Sequence, residues 1–303
     1  MHTLRYEQTP AGAGVCAFGA AVAGFEMRII FSRKGFDSGA GGCASPILDG
    51  ECISLPIPTS MPSPTTFADL SGPHGDLVED LTKGRIGRDR HCHVDPDIDG
   101  AVLPRKNGWR GALGQVAAAQ GHLERNAVGV GDVFLFWGVF RPVRRAQRWV
   151  FDGPAEHRIF GWLQVGEAIQ LGSDGSHALD RHSWLSDHPH VRAGWSKKNT
   201  LYVATDQLGL NGVSTSLPGW GRCGAGHRLT AAAPEGANVS PGKWHVPTWL
   251  NPKCGGSSMT YHGAAERWDA HTVQVVSRGQ EFVADVGNSP EAAAWLEEVL
   301  RNA

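Results

Sequence analysis

The chain has 303 residues, 41% of them hydrophobic and 19% charged, which is the composition of a folded protein with a substantial core and excludes disordered and small disulfide-stapled classes. Lys and Arg number 28 against 30 Asp and Glu, so the formal net charge of −2 gives no whole-chain attraction to nucleic acid or anionic membrane, and such a partner must be met locally. The six cysteines (16, 43, 52, 92, 223 and 254) form no C-x-x-C pair, which argues against zinc ribbons and thioredoxin-type sites and fits reduced thiols in a cytoplasmic protein.

Ala11 to Phe25 has the length of a signal peptide, but it is built of Ala and Gly and is too short to span a bilayer. Arg28-Ile29-Ile30-Phe31 is the first β-branched run and predicts the first core strand. Residues 1–26 are therefore expected to be an N-terminal extension and 27–303 the fold. From Phe31 to Pro64 the chain is too rich in Gly, Ser and Pro for a long helix. Residues 109–124 predict a helix, with Trp109, Ala112, Leu113, Val116, Ala119 and Leu123 on one stripe. Val133-Phe134-Leu135-Phe136-Trp137 reads as a strand buried on both faces, with Ile159 to Val165 as its partner. Strands are expected again at Leu201–Ala204, Val273–Val276 and Glu281–Val286, and turns dominate 171–198 and 205–260. Ser289 as cap, Pro290 in the first turn and Ala293, Leu296, Val299 and Leu300 at helical spacing predict a C-terminal helix. These elements add up to an α+β class: a mixed β-sheet or partly closed barrel with packed helices, in a single large domain.

Three segments could carry chemistry. Ser32-Arg33-Lys34-Gly35-Phe36-Asp37-Ser38 puts two cations, a carboxylate and two hydroxyls at a strand end, which suits a phosphate or a sugar but equally a surface turn with an ion pair. It lacks the spacing of a Walker loop. His91-Cys92-His93-Val94-Asp95-Pro96-Asp97 alternates His and Asp, with His188-Pro189-His190 as possible further ligands. Pro96 and the crowded acids suit a solvated turn, so neither a metal nor a cofactor is expected, and acid/base work by a carboxylate beside a His is the alternative. The third segment is basic: Arg141, Arg144, Arg145 and Arg148 precede Trp149. Residues 85–148 hold 11 Lys and Arg against 6 Asp and Glu, so the near-neutral chain has a basic middle suited to phosphate contact, or to a solvated hairpin.

The run Met27 to Ser38 resembles the nucleotide modification associated domain 3 family, described as DNA base hypermodification proteins. Further resemblance lies in Ser45-Pro46-Ile47-Leu48, Ser54 to Pro58, His93-x-Asp95-Pro96-Asp97, Gly108-Trp109-Arg110-Gly111 with Gln115, Gly161-Trp162-Leu163-Gln164, His188-Pro189-His190, Tyr261-His262 and Gly279-Gln280-Glu281-Phe282. It covers most of 27–303. The resemblance implies action on modified bases in double-stranded DNA. The expected activity is a DNA glycosylase excising glucosylated hydroxymethylcytosine from phage DNA in antiviral defence, with no membrane and no protein partner.

Such an enzyme must flip the base out and stabilise an oxocarbenium-like sugar with a carboxylate. Asp37 is the first choice of carboxylate and Asp95 the second. Arg33 and Lys34 would hold phosphate or the bulky modification, with Lys34 an alternative Schiff-base nucleophile. His93 or His190 would donate to the leaving base, and Trp109 or Trp162 would stack on it. Ser32, Phe36, Arg110, Gln115, Gln164, Tyr261 and His262 complete the expected substrate contacts, and Arg141, Arg144, Arg145 and Arg148 the DNA-backbone contacts. The rivals are a non-catalytic reader of the PUA-like barrel type, a base-hypermodifying enzyme and a metal-dependent nuclease.

Overall fold

A computed structural model describes residues 26–60, 63–192, 194–232, 240–277, 279 and 281–301. Most of the expected N-terminal extension, including Cys16, lies outside the described residues. The early strands are β1 (Met27–Arg33), β2 (Ser45–Leu48), β3 (Glu51–Cys52), β4 (Ile57–Pro58), β5 (Cys92–His93) and β6 (Ala112–Val116). Next come β7 (Val133–Arg145), β8 (Trp149–Phe151), β9 (Glu156–Gln170), β10 (Asn199–Ala204), β11 (Gln207–Leu210) and β12 (Val213–Pro218). The last strands are β13 (Trp220–Arg228), β14 (Lys243–His245), β15 (Thr272–Gln274) and β16 (Glu281–Gly287). Three α-helices among the described residues accompany them, besides short 3₁₀ turns: α1 (His74–Leu81), α2 (Ala117–Arg125) and α3 (Pro290–Arg301).

The main sheet runs β16-β1-β7-β9-β10-β6, with β2, β3, β8 and β13 attached to its flanks. Among the described strands only the β1–β7 and β2–β7 pairs are parallel, so the sheet is mixed, as expected for the α+β class. No backbone ladder joins β16 to β6, so the sheet is open and not a closed barrel. Its two edges nevertheless meet through side chains, because Gln115 Nε2 of β6 donates to Glu281 Oε1 of β16.

Alternation along the strands sorts their side chains between two cores. Ile29, Phe31, Val133, Leu135, Trp137, Phe282 and Ala284 pack outward under α3 and the β14–β15 ladder. Ile30, Phe134, Phe136, Leu163, Tyr202, Leu113 and Val283 fill the inside of the curl. Ser32 and Lys34 continue the inward parity of Ile30, Gln115 that of Leu113, and Glu281 that of Val283. The inner core is therefore apolar in its middle and polar at one end.

The strand and helix expectations hold at both ends: Ser289 Oγ accepts from the Ala292 amide and caps α3, whose Leu296, Val299 and Leu300 are buried. The expected helix over 109–124 needs correction, since Ala112–Val116 is an edge strand paired with β10 and the helix begins only at Ala117. Ala112, Leu113 and Val116 satisfy a helical stripe in sequence, but pairing with β10 satisfies their backbone and a positive φ of 51° at Ala117 separates strand from helix. Strands β11 to β14 also run through the stretch expected to be turns; β12 is half-exposed and β13 is rich in Gly, so neither shows clean alternation.

Candidate functional site

The polar end of the inner core is supplied from four directions. Strand β1 ends in Arg33, and the Lys34 amide still donates to Trp137 O (2.8 Å), which carries Lys34 past the strand terminus in register. The chain then turns at Asp37, whose Oδ1 accepts from the Gly39 and Ala40 amides (both 2.7 Å) while Oδ2 lies 3.7 Å from Arg33 Nε. The β4–β5 ladder places His93 opposite Ile57. Asp97 pairs with Ala112 across an isolated bridge, and this sets Asp95 against β6, with its Oδ1 accepting from the Gly114 amide at 2.7 Å.

His190 comes from a 3₁₀ turn, Pro189–Val191, anchored to the start of β10. Asn199 Nδ2 donates to His190 O and Asn199 Oδ1 faces His190 Nδ1, both at 2.9 Å. Because the Asn amide nitrogen is committed to a carbonyl, its oxygen must receive the imidazole proton. Nδ1 of His190 is thus the protonated nitrogen, and Nε2 presents a bare lone pair.

Together these residues line one open pocket of about 330 Å³, formed by Arg33, Lys34, Asp37, His93, Asp95, Gln115, His190 and Trp195. That volume falls in the range of small-ligand sites. Trp195 stacks on His190 with ring centroids 4.4 Å apart and planes 6° apart, and its indole N–H donates to Pro189 O. Gly114 backs the His190 ring so closely that a Cβ there would lie 2.1 Å from it.

Electrostatics divides the groups. Burial pulls His93 down to about 3 and His190 to about 4, more than the adjacent Asp95 carboxylate restores, so both imidazoles are neutral at pH 7. Burial pushes Asp95 upward, but the approach of His188 Nε2 at 3.6 Å and the Lys34 charge outweigh it and hold the carboxyl below its ordinary range. Glu281 is 1% exposed, and burial raises its carboxyl despite the pull of Lys34. Its Oε1 receives Ser32 Oγ (3.1 Å), Lys34 Nζ (3.4 Å) and Gln115 Nε2, while Oε2 has no partner among the described residues.

The pocket thus joins Arg33, Lys34, Asp37, His93, Asp95, Gln115 and His190 of the sequence candidates, with Ser32 directly beneath. A matching model of nucleotide modification associated domain 3 spans residues 28–285. The chain belongs to that family. The family match contains every pocket residue, and Glu281 as well. No curated protein and no solved structure matches the chain.

Other candidates within the family domain do not line this pocket. Phe36 is core, edge-on to Phe67. Trp162 is buried with its N–H on Pro218 O, and Gln164 clamps Gly131, Thr205 and Gly209. Trp109 lies under Arg105 and bonds Asp97, while Arg110 pairs with Asp206. His262 is fully buried between Thr260 O and the Val276 amide, and Tyr261 is exposed and stacked on His122. Arg141, Arg144, Arg145 and Arg148 lie on the β7–β8 hairpin. Arg141 is held on Gly153 O and over Phe151, whereas Arg144, Arg145 and Arg148 are exposed.

Glu281 and Trp195 are not among the candidate site residues of the sequence, although Glu281 lies in the resembling run Gly279 to Phe282. Glu281 was legible as a charge opening an apolar strand, on the same parity as buried Val283. Trp195 sits in an irregular loop and gave no periodic signal.

Proposed function

We propose that this member of the nucleotide-modification family is a DNA N-glycosylase acting on a hypermodified cytosine, glucosylated hydroxymethylcytosine, in phage DNA. What supports the reading is the convergence of Arg33, Lys34, Asp37, His93, Asp95, Gln115 and His190 on a single pocket open to solvent. In this reading a flipped nucleotide enters the pocket, with Arg33 and Lys34 meeting its phosphate or the hydroxyls of its sugar modification. As the C1′–N bond breaks, the bonding pair leaves with the base, and positive character at C1′ is stabilised by a carboxylate. Water adds its oxygen to C1′, one of its protons passes to the departing base, and the abasic sugar remains.

Asp37 is assigned the carboxylate role because Oδ1 is fixed by two amides, which leaves Oδ2 toward the pocket beside Arg33. Gln115, oriented by Glu281, supplies an amide edge for the base. The open sheet lends no support to a PUA-like barrel reader.

The test incubates the protein with duplex DNA carrying glucosylated hydroxymethylcytosine and with unmodified duplex, and measures free base by mass spectrometry and strand breaks after alkali. Base release from the modified duplex alone is expected. Asp37→Asn, which keeps an oxygen for the two amides, should lower release at least 100-fold at unchanged melting temperature. Tight binding of modified DNA with no released base would replace the glycosylase with a reader.

A further inference from the structure

We propose that His93, Asp95 and His190 form a binding site for one divalent first-row transition-metal ion, with zinc or ferrous iron the fitting class. Their ligand atoms all lie within 4.8 Å of one another. His93 Nε2 and His190 Nε2 are 3.2 Å apart, and Asp95 Oδ2 is 3.8 Å from the first and 3.7 Å from the second. Two nitrogens bound at about 2.0–2.1 Å and subtending about 90–110° are about 3–3.4 Å apart, so the imidazole pair already has the spacing of adjacent ligands. The carboxylate needs to approach by only a few tenths of an ångström.

The surrounding bonds aim the same atoms at the gap. Asn199 fixes the proton of His190 on Nδ1 and leaves Nε2 as a donor lone pair, an arrangement characteristic of a ligating histidine. His188 Nδ1 accepts from the His190 amide at 3.3 Å, which puts its proton on Nε2. That Nε2 is buried without a hydrogen-bond partner and points at Asp95 Oδ1 from 3.6 Å. With the Gly114 amide, it occupies one face of the carboxylate and turns Oδ2 toward the two imidazoles.

A direct hydrogen bond between His93 and His190 would satisfy one nitrogen of each ring but give Asp95 Oδ2 nothing; a cation satisfies all three. The Lys34 ammonium has its own ion-pair partner, Glu281 Oε1 at 3.4 Å. Two imidazoles and one carboxylate favour a borderline transition metal over magnesium or calcium, which take oxygen sets. All three ligands line the pocket, so the coordination positions they leave vacant open onto it.

The test needs no DNA. Chelator-treated, dialysed protein is titrated with zinc, with cobalt(II) as a spectroscopic surrogate, and with ferrous iron under anaerobic conditions. Expected are one ion per chain, visible cobalt ligand-field bands, a raised melting temperature, and no competition from millimolar magnesium. X-ray absorption of the zinc-loaded wild type should report two imidazoles and only nitrogen or oxygen neighbours. His93→Gln and His190→Asn should each weaken binding at least tenfold, while His177→Gln, an exposed control, should not.

No saturable binding by the wild type overturns the proposal. So does a sulfur neighbour or fewer than two imidazoles in the absorption spectrum, which would put the ion on cysteine or surface histidine. Binding is scored separately from base release, so a bound ion without glycosylase activity supports this site while counting against the catalytic reading.

Discussion

Gly114 shows how narrowly the candidate site is built. It has no side chain because the His190 ring occupies the space where one would start, 2.1 Å from the position of a Cβ. Its amide meanwhile holds Asp95 Oδ1. Gly114→Ala must displace either the ring or strand β6, and overpacking of this kind costs about 1–3 kcal/mol. Denaturant unfolding should show that loss, and base release should fall at least tenfold even where the variant is fully folded. Alanine at Gly212, where a Cβ meets nothing within 4 Å, serves as a comparison remote from the pocket, with any loss confined to its own positive φ. The sequence carried the H-x-D spacing of His93 and Asp95, which puts both on one side of an extended segment, and it carried His190 in H-P-H. It could not carry their meeting, because His93 and His190 are 97 positions apart and come together through the Asp97–Ala112 bridge and the β6–β10 pairing.

At the level of elements, the long apolar strands were legible and the half-exposed ones were not. Strand β7 is buried on both faces through Gly138, so its composition alone announces it, and β9 is its evident partner. The edge strand β6 mixes Ala, Gly and Gln, which fit helix and strand alike, and only hydrogen bonding to β10 decides. The β7–β8 hairpin is a different case, since its basic residues were plain while their use was not. Arg144 and Arg145 reach Asp152 (3.5 Å) and Asp80 (3.4 Å); both arginines are solvated, so such pairs contribute little, and Asp80, the more covered partner, is also held by the Trp149 amide. If this arm grips the DNA backbone, each phosphate contact releases counterions and steepens the salt dependence. Replacing Arg144 and Arg148 by Ala should reduce the magnitude of the slope of log affinity against log salt by about 2 and weaken modified and unmodified duplexes equally. Fluorescence anisotropy at several salt concentrations measures this, and an unchanged slope would remove the hairpin from the interface. Base release at saturating DNA should stay constant, because the arm contributes no residue to the pocket.

Over the whole molecule, one curled sheet separates an outer core that α3 covers from an inner core that ends in the pocket, so stability and site share their strands. Among the described residues, no helix is long and apolar enough to cross a membrane, and five cysteines are free. His157 ties the outer core to pH. It lies against Trp137, and its Nδ1 accepts from the Trp244 indole N–H at 2.8 Å, which requires a neutral ring. Burial, with the Arg33 charge adding to it, lowers its pKa to about 4 from an ordinary value of 6.5. Between these values the unfolded chain binds the proton and the folded chain does not, so stability is complete above about pH 6.5 and declines as pH falls toward 4. The difference corresponds to at most roughly 3–4 kcal/mol from this residue, approached only below pH 4. Denaturant unfolding from pH 7 to 4 should therefore show falling stability. His157→Gln, whose side-chain oxygen can still accept from Trp244, should be less stable at pH 7 and lose less on acidification, so its curve converges on the wild type near pH 4. Parallel curves would mean that His157 does not carry this part of the pH dependence.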